Sequence, residues 1–310
     1  MKRFDQLRII FFGTPDFAVA SLDALVKAGA NIVAVVTMPD KPAGRGMQLQ
    51  ASAVKQYAVA HGLLVLQPEK MKAPEFLAEL KVLNADLQIV VAFRMMPEAV
   101  WNMPPMGTIN VHGSLLPQYR GAAPVNRAIM NGETETGVTT FKLKHEIDTG
   151  DILLQQKVPI LPEDTAGTLH DKLMIAGAEL LVTTVKGLAE GTVHELSQND
   201  IKDADIKHAP KIFKDHTLID WSRPVNEINN FIRGLSPYPA AYTILNNKTV
   251  KIYKAHVFEE PVELTPGTMQ TDHSTYLRFA ATDGWVYIDD LQLEGKKRMK
   301  VVDFLRGYRS

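Results

Sequence analysis

Leu7-Arg8-Ile9-Ile10-Phe11-Phe12-Gly13-Thr14-Pro15-Asp16 decides how the first half of this chain folds. An apolar run without polar alternation, stopped by glycine, describes a strand covered on both faces inside a parallel sheet. Asp16 is placed to cap a helix running to about Ala28, with Gly29 as its stop. Ile32 to Thr37 is a second β-branched run, Ala51 to His61 reads as a helix ended by Gly62, and Leu63 to Leu66 reads as a third strand. Leu87 to Phe93 and Thr108 to His112 continue the alternation. Strand and helix in turn, with short connections, predict an open and mostly parallel α/β sheet whose ligands sit at the carboxyl ends of its strands.

From Thr165 the residues Leu169, Leu173, Ala176, Leu180 and Leu188 keep helical spacing up to Gly191, which predicts one long helix against the sheet. The following stretch to Lys207 is polar and acidic and reads as a linker. Beyond a short helix near Val225–Arg233 the texture is that of hairpins. Ala241–Leu245, Asn246-Asn247 and Lys248–Val257 form one, and Thr275–Ala281, Asp283-Gly284 and Trp285–Leu291 form another. The expected organisation is therefore an α/β, Rossmann-like open sheet domain over residues 1–190, a linker over 191–207, and a smaller β-barrel domain of OB type over 208–310.

Composition removes several function classes. The 310 residues carry 34 basic and 35 acidic side chains, which excludes a strongly basic whole-chain nucleic-acid binder but not a local basic patch. Residues 1–207 are net −3 and residues 208–310 net +2, and Lys296, Lys297, Arg298 and Lys300 crowd together after Gly295. The absence of cysteine excludes disulfides, Cys-ligated zinc, iron–sulfur clusters and thiol nucleophiles. No apolar run approaches the roughly 18–20 residues of a membrane span, and the N-terminus shows no secretory pattern. A cytoplasmic, monomeric protein without membrane partners is expected.

Several motifs are missing. Phe12-Gly13-Thr14-Pro15-Asp16 lacks the G-x-G-x-x-G of a dinucleotide loop, and Gly132 and Gly137 have P-loop spacing but are followed by Val138 and Thr139. There is no H-E-x-x-H, no G-x-S-x-G and no metal-ligand spacing among the histidines, so no metal site is expected. The positive signal lies between Thr108 and Asp151. Asn110 and His112 project from one face near the carboxyl end of a strand. Gly113 to Gly121 is a glycine-bounded loop, and Ile147-Asp148-Thr149-Gly150-Asp151 is an acidic turn. Asn, His and Asp suit acyl transfer without a protein nucleophile: Asn and a protonated His can donate to a developing oxyanion while Asp orients and charges the His. The residues alone leave a structural His and a catalytic one equally open.

Ile10 to Phe17, Pro39 to Gly46, Asn110 to Pro117, Tyr119 to Pro124, Thr136 to Thr139 and Asp148 to Asp151 together resemble the folate-dependent formyltransferases. The Pro42-Ala43-Gly44-Arg45-Gly46 loop and the β-rich second half resemble the bacterial methionyl-tRNA branch of that family. The chain departs from the family where it reads Ala92-Phe93-Arg94-Met95-Met96-Pro97, and Lys41 stands where Arg is common. The resemblance implies 10-formyltetrahydrofolate as cosubstrate and the methionine amine of initiator tRNA as acceptor. It implies catalytic roles for Asn110, His112 and Asp148, a folate wall formed by Ser114, Leu115, Leu116 and Pro117, and tRNA contacts from Arg45, Lys296, Lys297 and Arg298. The alternatives are another folate-dependent formyltransferase or formylfolate hydrolase, acting on a small amine or on water, and an RNA-binding module with a decayed catalytic domain.

Overall fold

The computed structural model describes residues 2–43, 48–201 and 205–307. Two compact units emerge, one of residues 1–120, 137–158 and 171–207, the other of residues 121–136, 159–170 and 208–310.

In the first unit β1 (Arg8–Gly13) behaves as its unbroken apolar run requires. Ile9 and Phe11 enter one hydrophobic cluster with Leu22, Leu25, Ile89 and Leu181, while Ile10 and Phe12 enter a second with Val36, Phe76 and Leu80. The two-residue side-chain period thus supplies both faces of the sheet from one strand. The chain continues through α1 (Asp16–Lys27), β2 (Asn31–Val36), β3 (Lys41–Ala43), β4 (Gln48–Gln50), α2 (Ala53–Ala60) and β5 (Val65–Leu66). It then returns through α3 (Pro74–Leu83), β6 (Leu87–Val91), α4 (Glu98–Trp101), β7 (Thr108–His112) and β8 (Arg120–Gly121). After α5 (Pro124–Met130), which belongs to the second unit, come β9 (Glu135–Lys142), β10 (Ile152–Pro159) and the long α6 (Ala166–Glu190).

The main sheet runs β10-β9-β7-β6-β1-β2-β5. β1 pairs in parallel with β2 and β6, β2 with β5, and β6 with β7, while β9 lies antiparallel to β7. The chain leaves β1 in one direction and returns on its other side at β6, so the strand order reverses there and a crevice opens at the carboxyl ends. Gly13 sits at that end opposite Val91, and a Cβ on it would come within 2.6 Å of the Ala18 Cβ. Two expectations need adjustment. Asp16 is the first residue of α1 with Pro15 at the cap and no side-chain cap bond, so its carboxylate acts on the helix dipole rather than on a cap N–H. The stretch read as a loop about Pro42 and Ala43 includes paired strand, with Lys41 opposite Gln50 and Pro42 opposite Leu49.

The second unit holds β11 (His208–Ala209), α7 (Val225–Leu235), β12 (Ala241–Leu245), β13 (Lys248–Glu259), β14 (Met269–Thr271), β15 (Leu277–Ala280), β16 (Gly284–Leu293), β17 (Met299–Lys300) and α8 (Val301–Gly307). Leu245 pairs with Lys248 across Asn246 and Asn247, both left-handed at φ 49° and 61°, which is the two-residue turn the Asn-Asn pair predicts. The sheet runs β12-β13-β16-β15-β14 with β17 on β16, a barrel-like antiparallel arrangement of which β12 and β14 are the edges. Ile228 and Ile232 of α7 and Phe304 of α8 share its core with Ile252, Val286 and Ile288.

Asp290 on β16 is 6% exposed and receives both Arg298 Nε and Nη2 at 2.9 Å, with Lys300 Nζ at 3.5 Å. Burial pushes its carboxyl up, but the Arg298 bonds and the charges of Arg298 and Lys300 outweigh that and hold it below the usual carboxylate range. A lowered folded-state value means the stabilisation is present above the unfolded-state value, about 3.9, and is lost as pH falls through the folded one. Asp290→Asn should lower stability by about 1–3 kcal/mol at neutral pH, with the gap to wild type closing below about pH 4. Denaturant titrations across pH check this, and a gap that widens in acid would contradict it.

Candidate active site

β7 carries the reactive pair to the carboxyl edge of the sheet. Asn110 lies between Val90 of β6 and Phe141 of β9, and His112 lies opposite Thr139. Among the described residues the Asn110 carboxamide has no hydrogen-bond partner, so its donors are available to a ligand. His112 is 7% exposed and fixed on both sides. Its Nε2 is 2.9 Å from the Tyr119 carbonyl oxygen. A carbonyl only accepts, so Nε2 carries the proton. Its Nδ1 faces Asp148 Oδ2 at 3.8 Å, close enough for charge attraction but too long for a hydrogen bond.

Both groups that address His112 come from backbone in the left-handed region. Tyr119 has φ 59° and Asp148 φ 56°. Asp tolerates this conformation better than a bulky residue does, so Tyr119 is the more strained of the two. The loop that delivers Tyr119 is held by bonds within it and to neighbouring strands. Thr139 Oγ1 donates to the Ser114 carbonyl at 2.6 Å and accepts from Leu116 N–H at 3.1 Å, while Ser114 Oγ donates to the Gln118 carbonyl. Gln155 Nε2 donates to the Leu116 carbonyl at 2.8 Å, and Tyr119 N–H donates to the Lys207 carbonyl. Ser114, Leu116 and Pro117 are buried and Leu115 is half-buried.

The turn that delivers Asp148 is shaped by Gly150. A Cβ there would overlap the Lys142 carbonyl, and the adjacent Lys142 N–H donates to the Asp151 carbonyl at 2.9 Å. A further residue, Gln198, carries no sequence signature and was not singled out by pattern. Only 3% exposed, it donates through Nε2 to the Asp148 and Gly150 carbonyls at 2.9 and 2.7 Å and accepts from Arg120 Nε and Nη2 at 2.9 and 2.6 Å.

The remaining sequence-selected residues lie elsewhere. Lys296 and Lys297 are exposed on the turn after Gly295, in the second unit. Arg298 shares its guanidinium with Asp290 and lies 4.3 Å from the Tyr253 ring centroid. Arg45 lies outside the described residues. Arg94 donates to the Pro68 and Glu69 carbonyls at 2.6 and 3.1 Å, tying the strand-end segment after β6 to the one after β5. Among the described residues no three His, Asp or Glu side chains gather as a metal site, and no helix is long and apolar enough to cross a membrane.

Residues 7–185 match the formyl transferase family model, and residues 211–309 match that of the formyl transferase C-terminal domain. The chain is 56% identical to the methionyl-tRNA formyltransferase of Parabacteroides distasonis, the alignment covering 100% of this chain and 98% of that one. It is 53% identical to that of Bacteroides fragilis, over 99% and 97% of the two chains. Among solved structures, WlaRD, a sugar 3N-formyl transferase studied with dTDP and 5-N-formyl-THF, shares the fold at TM-score 0.68 and 22% identity, over 94% of this chain and 99% of that one. An N-formyltransferase from Helicobacter canadensis in complex with folinic acid and dTDP-3-aminofucose does so at TM-score 0.66 and 22% identity, over 95% and 100%.

Gly150→Ala should cost about 1–3 kcal/mol of stability, because the added methyl meets backbone rather than a movable side chain. Chemical denaturation measures it, and a cost below about 0.5 kcal/mol would show that the turn yields freely.

Proposed function

The chain belongs to the methionyl-tRNA formyltransferase family, and on that premise we propose that it transfers the formyl group of 10-formyltetrahydrofolate to the α-amino group of methionine on initiator Met-tRNA. The observation that carries the reading to particular residues is the end of β7, where the Asn110 carboxamide is available and the His112 ring is held with Nδ1 beside Asp148. That donor set fits a carbonyl oxygen acquiring negative charge.

The amine attacks the formyl carbon as its free base, and the carbonyl π electrons move onto oxygen. Asn110 Nδ2 and the Nδ1–H of protonated His112 donate to that oxyanion, stabilising charge as it develops. Asp148 lies beside the imidazole and faces the proton released from the amine, which passes to N10 of the folate as the C–N10 bond breaks. His112 is thereby an electrophilic donor, with no covalent intermediate on the protein.

The Ser114–Pro117 loop, tied to Thr139 and Gln155, backs the donor site, with Leu115 as its least covered apolar side chain. Arg45 and the exposed Lys296 and Lys297 contact tRNA, the lysines as phosphate partners, while Arg298 takes part with a guanidinium already bound to Asp290. Translation initiation places the work in the cytoplasm.

Formylation of Met-tRNA, initiator against elongator, tests the reading. Wild type should prefer the initiator, and His112→Ala and Asn110→Ala should each lower kcat by about 10²–10³, equivalent to about 3–4 kcal/mol of transition-state stabilisation. Full activity in either variant would remove that residue from the mechanism. No transfer to either tRNA would refute the acceptor.

A further inference from the structure

The side chain that bonds to both of the segments contacting His112 is Gln198. Its carboxamide is saturated: both Nε2 protons go to the Asp148 and Gly150 carbonyls, and Oε1 receives two Arg120 N–H groups. Asp148 bears the carboxylate facing Nδ1 of His112. Arg120 directly follows Tyr119, whose carbonyl holds Nε2. One buried amide therefore joins the two backbone segments on either side of the imidazole, and both segments bear a left-handed residue beside it, Tyr119 and Asp148. Such conformations persist only where the surroundings over-determine them.

We propose that Gln198 is a positioning residue for formyl transfer, setting the separation and direction of Asp148 and the Tyr119 carbonyl about the His112 ring. This rests on the reading of His112 and Asp148 as catalytic. The amide is chemically required because one end must donate to two carbonyls while the other accepts from a guanidinium. A carboxylate of the same shape keeps the Arg120 contact but turns two acceptor carbonyls against an acceptor. A thioether of similar length fills the volume and keeps neither polar contact.

Gln198→Glu and Gln198→Met in the full-length enzyme test this, the second carrying the test if the first fails to fold. Each should lower kcat by about 10–100-fold, as loss of a residue supporting a reactive group does, with KM for both substrates within about twofold of wild type. Crystal structures of the variants should show the Asp148 turn withdrawn from His112, with Nδ1···Oδ2 longer than 3.8 Å. An unmoved Asp148, an unchanged kcat, or a loss confined to KM would each overturn the proposal. If wild type transfers no formyl group to Met-tRNA, the functional reading fails, while the crystallographic comparison still decides whether Gln198 positions Asp148.

Discussion

A hydrogen bond from His112 Nε2 to the Tyr119 carbonyl holds the imidazole at the end of β7, and the candidate chemistry depends on it. Because the carbonyl claims Nε2, the only ring nitrogen left for a reacting oxygen is Nδ1, and Nδ1 is the one that faces Asp148. Orientation and the neighbouring negative charge thus come from two different groups. Burial of His112 leaves its hydrogen bond to Tyr119 without competition from water.

Rigidity comes from below the site. β7 packs Ile109 and Val111 into a hydrophobic cluster within the sheet, so Asn110 and His112 alternate with buried apolar anchors. The loop and the turn facing them are irregular and partly strained, and buried polar bonds compensate. Thr139, at 0% exposure, ties the Ser114–Leu116 segment to β9, and Gln198 ties the Asp148 turn to Arg120. A precise site on an irregular loop needs this kind of fully bonded support.

What the sequence disclosed follows from the range of the interaction involved. β1 was legible because two-faced burial writes itself as Ile9-Ile10-Phe11-Phe12, and the β12–β13 hairpin because Asn246-Asn247 suits a turn with two left-handed residues. The pairing of Asn110 with His112 follows from strand periodicity alone. The Lys41–Gln50 ribbon was hidden by its shortness and by Pro42 and two glycines, which read as loop. Asp290 as the partner of Arg298 depends on β17 lying beside β16. Gln198 was least legible: a single polar residue in a polar stretch becomes a buried four-bond junction only once residues 120, 148 and 198 meet in space. The folate and tRNA expectations came from family resemblance rather than from periodicity or charge.

The central claim, that Nε2 is fixed by a carbonyl and Nδ1 is the reacting donor, is open to direct observation. Long-range proton–nitrogen NMR on the ¹⁵N-histidine-labelled protein, with His112 assigned by substitution, reports which ring nitrogen carries the proton in the neutral form. The account requires a protonated Nε2 and a bare Nδ1, with protonation of the ring then appearing at Nδ1. A neutral ring protonated at Nδ1 and bare at Nε2 would contradict it, because Nε2 could not then donate to Tyr119.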